Sequence, residues 1–220
     1  RTGLSGAAVA FNGEVVINLS KMNKIQAFDS LGLTITAEAG LILENLQEAV
    51  AQAGFLFPLD FAAKGSCQVG GFVSTNAGGV KVLKYGMTRQ FVLGMTVVLA
   101  SGQILQLGTS LIKDNSGYDL KQIFIGAEGT LGIITEVTFQ CVSQPKNAIV
   151  ALLNPPSFTA VPKLLATLKQ ASFDILAFEY FDKICAKAVL SAIPQLKYPF
   201  SEISEHHVLI EIDCSDLEAL

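Results

Sequence analysis

The sequence predicts an α+β protein built in two parts, and two observations carry that reading. All 19 glycines fall at or before Gly132 and none follows it, so a turn-rich stretch gives way to a turn-poor one. Beyond about Lys146 the apolar pattern alternates between strand and helix periods, giving strand, helix, strand, helix, strand without glycine loops, the mark of a separate α+β layer. The expected parts are residues 1–145 and 146–220, joined through Gln144-Pro145-Lys146-Asn147.

Each element follows from local chemistry. In the first part, β-type runs separated by turns occur at Glu14-Val15-Val16-Ile17, Thr34-Ile35-Thr36, Met95 to Leu99 and Ile133 to Val137. Leu43, Leu46, Ala49 and Val50 recur at helical spacing, and Gly54 stands where that helix should end. Tyr118-Asp119 reads as a helix start, with Asp119 favoured there by the helix dipole. In the second part the strands are Ala148–Leu153, Ile175–Phe181 and Val208–Ile212. The helices are Phe158–Gln170 and Asp182–Ala192, and Pro194 to Ser204 is a loop. The chain reaches its end soon after the last strand, before that second layer would be complete.

Composition excludes several functions. Net charge is −4 with the two signs interspersed, so no basic track for nucleic acid exists. Apolar runs such as Phe91 to Ala100 are far shorter than the roughly 20 residues of a membrane span. Half of the residues are hydrophobic and 15% are charged, which suits either a well-filled core or apolar surface that other segments cover. Cys67, Cys141, Cys185 and Cys214 lie far apart without a CxxC pair, so reduced thiols and a cytoplasmic setting are expected. One Asn-x-Ser sequon, Asn18-Leu19-Ser20, has no secretory context. His206 and His207 would point to opposite faces of a strand and make a poor pair of ligands for one metal.

Three glycine-rich segments stand out: Thr2-Gly3-Leu4-Ser5-Gly6; Gly65 to Gly71 running on to Thr75-Asn76-Ala77-Gly78-Gly79; and Gly126 to Gly132. Glycine lets successive backbone N–H groups converge on one anion, so a pyrophosphate can be held without a cluster of cations. Ser5, Ser66, Thr75 and Asn76 add short neutral donors. A tight turn accounts for any one of these segments alone. No two glycines stand at i and i+2 ahead of a Rossmann helix, and GxxxxGK[ST] is absent, so a dinucleotide here would be held by another fold. Glu128, within the third segment, is expected to be a carboxylate satisfied by backbone N–H groups rather than a general base. Phe72, Phe91 and Phe124 are expected in the core.

The run Pro58-Leu59-Asp60, Lys64-Gly65-Ser66-Cys67-Gln68-Val69-Gly70-Gly71, Ser74-Thr75-Asn76-Ala77-Gly78-Gly79 and Tyr85-Gly86 resembles the FAD-binding domain of the vanillyl-alcohol oxidase and p-cresol methylhydroxylase superfamily. Lys113 to Gln122, followed by Phe124 to Thr135, resembles its D-lactate, glycolate and D-2-hydroxyglutarate dehydrogenase branch. Pro58-Leu59-Asp60 with Ala63-Lys64-Gly65-Ser66-Cys67, and Phe178-Glu179-Tyr180-Phe181-Asp182, tilt the likeness toward the hydroxyglutarate enzymes.

The resemblance implies a p-cresol methylhydroxylase-type FAD-binding domain over residues 1–145, incomplete at its start, followed by the first part of an α+β substrate (cap) domain over 146–220. It implies that Thr2, Gly3, Leu4, Ser5 and Gly6 lie along the FAD pyrophosphate and that Pro58 and Leu59 approach the flavin. Gly65, Ser66, Gly70, Gly71, Thr75, Asn76, Gly78 and Gly79 would wrap the cofactor, and Gly129, Leu131, Gly132, Ile133 and Ile134 would pass its flavin or adenosine side. The catalytic residues, and the side chains for substrate carboxylates and a divalent metal, are expected beyond Leu220, with no metal ligand in this chain.

The implied activity is oxidation of a D-2-hydroxy acid, with D-2-hydroxyglutarate foremost, to the 2-keto acid by hydride transfer to flavin N5. Electrons would then pass to a protein or quinone acceptor. D-lactate or glycolate oxidation, or a non-catalytic FAD-fold piece, are the alternatives. A chain that starts inside the pyrophosphate loop should retain FAD weakly or not at all. The implied setting is a bacterial cytoplasm, or a mitochondrion in a eukaryote.

Overall fold

The computed structural model describes residues 2–171 and 173–214. In chain order the elements are β1 (Ile25–Asp29), β2 (Thr34–Glu38), α1 (Leu43–Gln52), β3 (Phe55–Leu56), α2 (Val69–Ser74), α3 (Val82–Tyr85), α4 (Thr88–Phe91), β4 (Val92–Val98), β5 (Ile104–Gly108) and α5 (Lys121–Phe124). Then follow β6 (Ile133–Gln140), β7 (Val142–Ser143), β8 (Ala148–Leu153), α6 (Ala160–Gln170), β9 (Asp174–Asp182), α7 (Lys183–Ala192) and β10 (His206–Asp213). The chain divides into two compact units. The first takes in Arg1–Gly79 and Gly86–Gln144, the second Val80–Tyr85 and Pro145–Leu220.

The first unit is built on an antiparallel sheet ordered β1-β2-β6-β4-β5. Alternation sets its register: Ile35 and Ala37 of β2 face Phe139 and Val137 of β6, and all four side chains are buried. Helix α1 buries Leu43, Leu46 and Val50, spaced as one helical face, and ends where Gly54 takes φ +84° and donates to the Ala51 carbonyl. Phe57 is the hub of the core. Its ring lies 5.0 Å from Phe139, 5.8 Å from Phe91 and 6.1 Å from Phe72. Burying rings of this size contributes about 2–3 kcal/mol each, so Phe72 and Phe91 are core residues, as is the buried Phe124.

Two local expectations are corrected. Glu14-Val15-Val16-Ile17 forms no strand: it runs exposed, with Val15 92% accessible, and the strand beside β2 is Ile25–Asp29 instead. A β-branched run without a pairing partner stays irregular. Glu128 is exposed at φ +52°, and its own N–H donates to the Ser74 carbonyl at 2.8 Å. Its place is fixed by its backbone, not by a satisfied carboxylate.

The second unit carries an antiparallel sheet ordered β8-β10-β9, with Val208 and Ile210 buried on its central strand. Helix α6 starts at Ala160, two residues later than the sequence pattern implies. Asp182 caps α7 by accepting the Cys185 N–H at 2.9 Å, which holds its carboxyl below the usual range. Asp119 makes no such cap in the first unit: in front of α5 its carboxylate accepts from the side chains of Lys121 and Gln122, at 2.6 and 3.2 Å. The two adjacent histidines take separate partners: His206 Nδ1 meets the Tyr180 hydroxyl at 3.0 Å, while His207 Nε2 meets the Tyr198 hydroxyl at 2.6 Å. His207 is wholly buried and stacks on Phe181 at 4.7 Å. No described helix is long and apolar enough to cross a membrane.

Candidate FAD site

The second glycine segment is fixed by the end of β2. The N–H groups of Val69 and Gly70 donate to the carbonyls of Leu41 and Ala39, at 2.9 and 2.7 Å. The first turn of α2 is therefore held over the sheet. Gly70 is required there because an added Cβ would lie 2.8 Å from the Ala39 Cβ. Gly71, one residue on, differs in kind. It is exposed, an added Cβ would meet nothing within 4 Å, and among the described residues its N–H has no protein acceptor.

The helix closes in a Schellman turn. Asn76, at φ +47°, donates its N–H to Val73, and Ala77 donates to Phe72. Buried Thr88 then clamps Ala77, its N–H and hydroxyl both reaching the Ala77 carbonyl, at 3.1 and 2.7 Å. Thr75 turns its hydroxyl back to the Gly71 carbonyl and Ser66 to that of Ala63, at 3.1 and 3.4 Å.

The third segment is hung on the second. The Gly126 N–H donates to Val73 and that of Glu128 to Ser74, at 3.2 and 2.8 Å. Arg89 adds a second tie: its N–H meets Asn76 Oδ1 at 3.0 Å, while its guanidinium reaches Gln122 Oε1 at 2.7 Å and the Ile125 carbonyl at 2.9 Å. Gly132 packs against β4, where a Cβ would lie 2.7 Å from Val97 Cγ1. Ile133 and Ile134 continue as β6, with Ile134 buried and Leu131 half exposed.

The structure thus brings together Gly70, Gly71, Thr75 and Asn76 with the segment that carries Gly129, Leu131, Gly132, Ile133 and Ile134. It does not tie Thr2, Gly3, Leu4, Ser5 and Gly6 to them. Among the described residues no hydrogen bond joins that first segment to the other two, and Leu4 is fully exposed. Pro58 and Leu59 are buried, and the Leu59 carbonyl accepts Gln47 Nε2 at 2.7 Å. Gly78 is exposed beside Gly79, whose added Cβ would lie 2.0 Å from the Asp60 carbonyl oxygen. Gly65 faces the Glu44 carboxylate, 3.1 Å from where its Cβ would be.

Within the three segments, Gly70, Gly79 and Gly132 let backbone or side chains close in, whereas Gly3, Gly6, Gly71 and Gly129 have open space, as Gly13, Gly54, Gly102 and Gly117 do outside them. The open group is neutral, rich in main-chain donors and free of side chains that would block a ligand. That donor set fits the diphosphate of a dinucleotide. Two cavities lie elsewhere in the first unit: one of about 360 Å³ bordered by Arg89, Leu93, Leu111 and Lys121, and one of about 180 Å³ along β4 and β5. Among the described residues no group of three or more His, Cys, Asp or Glu is arranged to hold a metal ion. Buried Cys67, beside Gly65 and Ser66, has its thiol pushed up to about 11 by burial, so it stays protonated and unreactive near neutrality.

Sequence reasoning missed Arg89, Thr88 and Gln122 as the polar knot between the two segments. One signal was present: Thr88-Arg89-Gln90 is a polar triplet set directly before the apolar run that starts at Phe91.

Known proteins match the chain over most of its length. The family model described as FAD binding domain matches residues 1–108. The chain is similar to D-2-hydroxyglutarate dehydrogenase of Xanthomonas citri pv. viticola, at 43% identity over 216 residues, 98% of this chain and 45% of the relative. It is also similar to the mitochondrial D-2-hydroxyglutarate dehydrogenase of Rattus norvegicus, at 46% identity over 211 residues, 96% of this chain and 39% of the relative. The chain thus spans less than half the length of the curated relatives it matches. A solved alkyldihydroxyacetonephosphate synthase shares the fold with TM-score 0.73 at 21% identity, over 88% of this chain and 39% of that one. With the sequence relatives and the shared fold in agreement, the chain carries an FAD-binding domain of the p-cresol methylhydroxylase-type fold and has FAD as its cofactor.

Proposed function

We propose that the protein oxidises a D-2-hydroxy acid, D-2-hydroxyglutarate foremost, to the 2-keto acid. The observation that carries this reading is the set of relatives named D-2-hydroxyglutarate dehydrogenase, at 42–46% identity, from bacteria, animals and plants alike. When bound, FAD would supply the redox chemistry, with flavin N5 as the hydride acceptor for the α-carbon.

The chain's own residues supply placement. The open main-chain amide of Gly71, on the turn that Gly70 holds against the sheet, contributes to binding the diphosphate. The Glu44 carboxylate beside Gly65 favours a position for the phosphates toward Gly71 to Gly79 rather than at Gly65. Pro58 and Leu59, buried beneath the Asp60–Gly79 contact, support the wall on the flavin side rather than touching the ring. Gly129, Leu131, Gly132, Ile133 and Ile134 pass the cofactor through backbone groups, and Thr2 to Gly6 close over the pyrophosphate when it is present. On this reading residues 1–145 act as the FAD-binding domain and 146–220 begin the substrate domain. Substrate carboxylates, the base and any divalent metal are met by residues outside this chain. Electrons leave to a protein or quinone acceptor, in a bacterial cytoplasm or a mitochondrion.

The test is direct. Protein expressed from its complete coding sequence should stay yellow through desalting and reduce an artificial dye with D-2-hydroxyglutarate. A preference for D-lactate or glycolate would overturn the substrate, and a colourless protein that takes up no added FAD would overturn the site.

A further inference from the structure

We infer that Arg89 is a positioning residue for the FAD site, setting the separation of the second and third glycine segments; the inference rests on the reading that those segments grip the cofactor. The geometry is that of a fork with a tether. Arg89 is anchored at the start of α4 by its own N–H, which donates to Asn76 Oδ1 at 3.0 Å. From that anchor the planar guanidinium reaches the chain ahead of the third segment in two directions: Nη1 to Gln122 Oε1 at 2.7 Å, with the Gln122 carbonyl at 3.4 Å, and Nη2 to the Ile125 carbonyl at 2.9 Å. Among the described residues no carboxylate lies within ion-pair distance of it. Its guanidinium bonds go to neutral oxygens just ahead of the segment it holds.

Asn76 is the partner that makes this more than a surface contact. It stands in the left-handed region at φ +47°, just past the Thr75 cap of α2 and two residues before Gly78. The side chain that accepts from Arg89 belongs to the residue whose backbone turns the chain toward Gly78 and Gly79. Arg89 Nη2 also lies 3.6 Å from where a Cβ of Gly126 would be, so the guanidinium lies against the first turn of the third segment. One side chain thus bears on the exit of the second segment and the entry of the third. Lysine retains the charge but presents no planar fork, and its compact ammonium cannot make both bonds in this geometry.

The experiment titrates FAD into the apoprotein by flavin fluorescence and records the visible circular dichroism of the bound flavin, for wild type, R89K, R89A and Q122M. The expected result is a loss of about tenfold or more in FAD affinity for both R89A and R89K, with an altered flavin dichroism. Q122M should show a smaller loss in the same direction. The apoprotein's far-ultraviolet dichroism should stay that of wild type in R89K. Restoration of full affinity by R89K would overturn the inference, because charge alone would then suffice. So would a fall in apoprotein melting temperature with FAD affinity unchanged, because the role would then be structural only. Should R89A fail to fold, Q122M decides, and unchanged affinity there would overturn the proposal. Wild-type protein that binds no FAD would sink the reading of the site itself, an outcome distinct from wild type and R89K binding alike.

Discussion

The carbonyl oxygen of Asp60 occupies the space a side chain at residue 79 would need, 2.0 Å from the position of a Cβ there. Backbone, not a flexible side chain, is the obstacle, so Gly79→Ala must push two main-chain segments apart. A loss of about 2 kcal/mol or more is expected, read as the drop in urea midpoint. Gly71→Ala is its counterpart. That residue lies within α2 with nothing in reach of an added methyl, so the substitution should stabilise by about 0.5–1 kcal/mol. FAD affinity should fall in the same variant. A protein both more stable and weaker for flavin would separate packing from ligand contact at neighbouring glycines.

Tyr198→Phe should destabilise the second unit. His207 is fully buried and its Nδ1 is already without a partner. Removing the hydroxyl 2.6 Å from Nε2 leaves the ring with no hydrogen bond among the described residues. The cost should be about 1–3 kcal/mol, and the double variant Y198F/H207L should recover part of it. Equal stability of Y198F and wild type in urea would refute the argument.

Burial raises the thiols of Cys67 and Cys141 from 9.0 to about 11. The folded state then holds protons that the unfolded state releases, so between those values the unfolded chain binds fewer protons and stability falls as pH rises. The contribution is fully present below pH 9 and is lost on the way to about 11. Cys185, which is exposed, should react first with a disulfide reagent at mildly alkaline pH, whereas Cys67 and Cys141 should react at the rate of unfolding. Rapid labelling of either buried thiol in the native protein would contradict this.

Lys81→Met should cost more than a surface ion pair would. Lys81 Nζ lies 3.1 Å from Glu211 Oε1, with the two side chains 14% and 19% exposed, so the variant leaves a mostly buried carboxylate unmatched. A loss of about 2–3 kcal/mol is expected, with recovery in K81M/E211L. Tyr85 gives a second readout. Its phenol is already raised by burial and then by the anions of Asp174, Asp213 and Glu211, and removing the lysine should raise it further in an ultraviolet tyrosinate titration.

Strong periodicity was legible in the sequence. The face of α1, the extent of α7, the strands β4, β6, β8 and β9, and the split fates of His206 and His207 follow from spacing in the sequence. Glu14 to Ile17 was misread because β-branched residues describe a strand's surface and not its partner, which lies elsewhere in the chain. The glycine segments were legible as segments, but their division was not. Whether a glycine makes room for Asp60 or leaves an amide open depends on residues distant in sequence. Arg89 stayed hidden for a similar reason, since its partners, Asn76, Gln122 and the Ile125 carbonyl, lie 13 to 36 residues away in the sequence.

The allocation of Val80–Tyr85 to the second unit has a practical consequence for anyone who divides this gene. A truncation after Gln144 would leave six residues of a missing neighbour's architecture stranded in mid-sequence, with Lys81, Lys84 and Tyr85 stripped of the acids they face. A clone starting at Pro145 would lack the short helix its sheet is built to receive. The two units are interlaced along the polypeptide, and neither can be excised with a single cut.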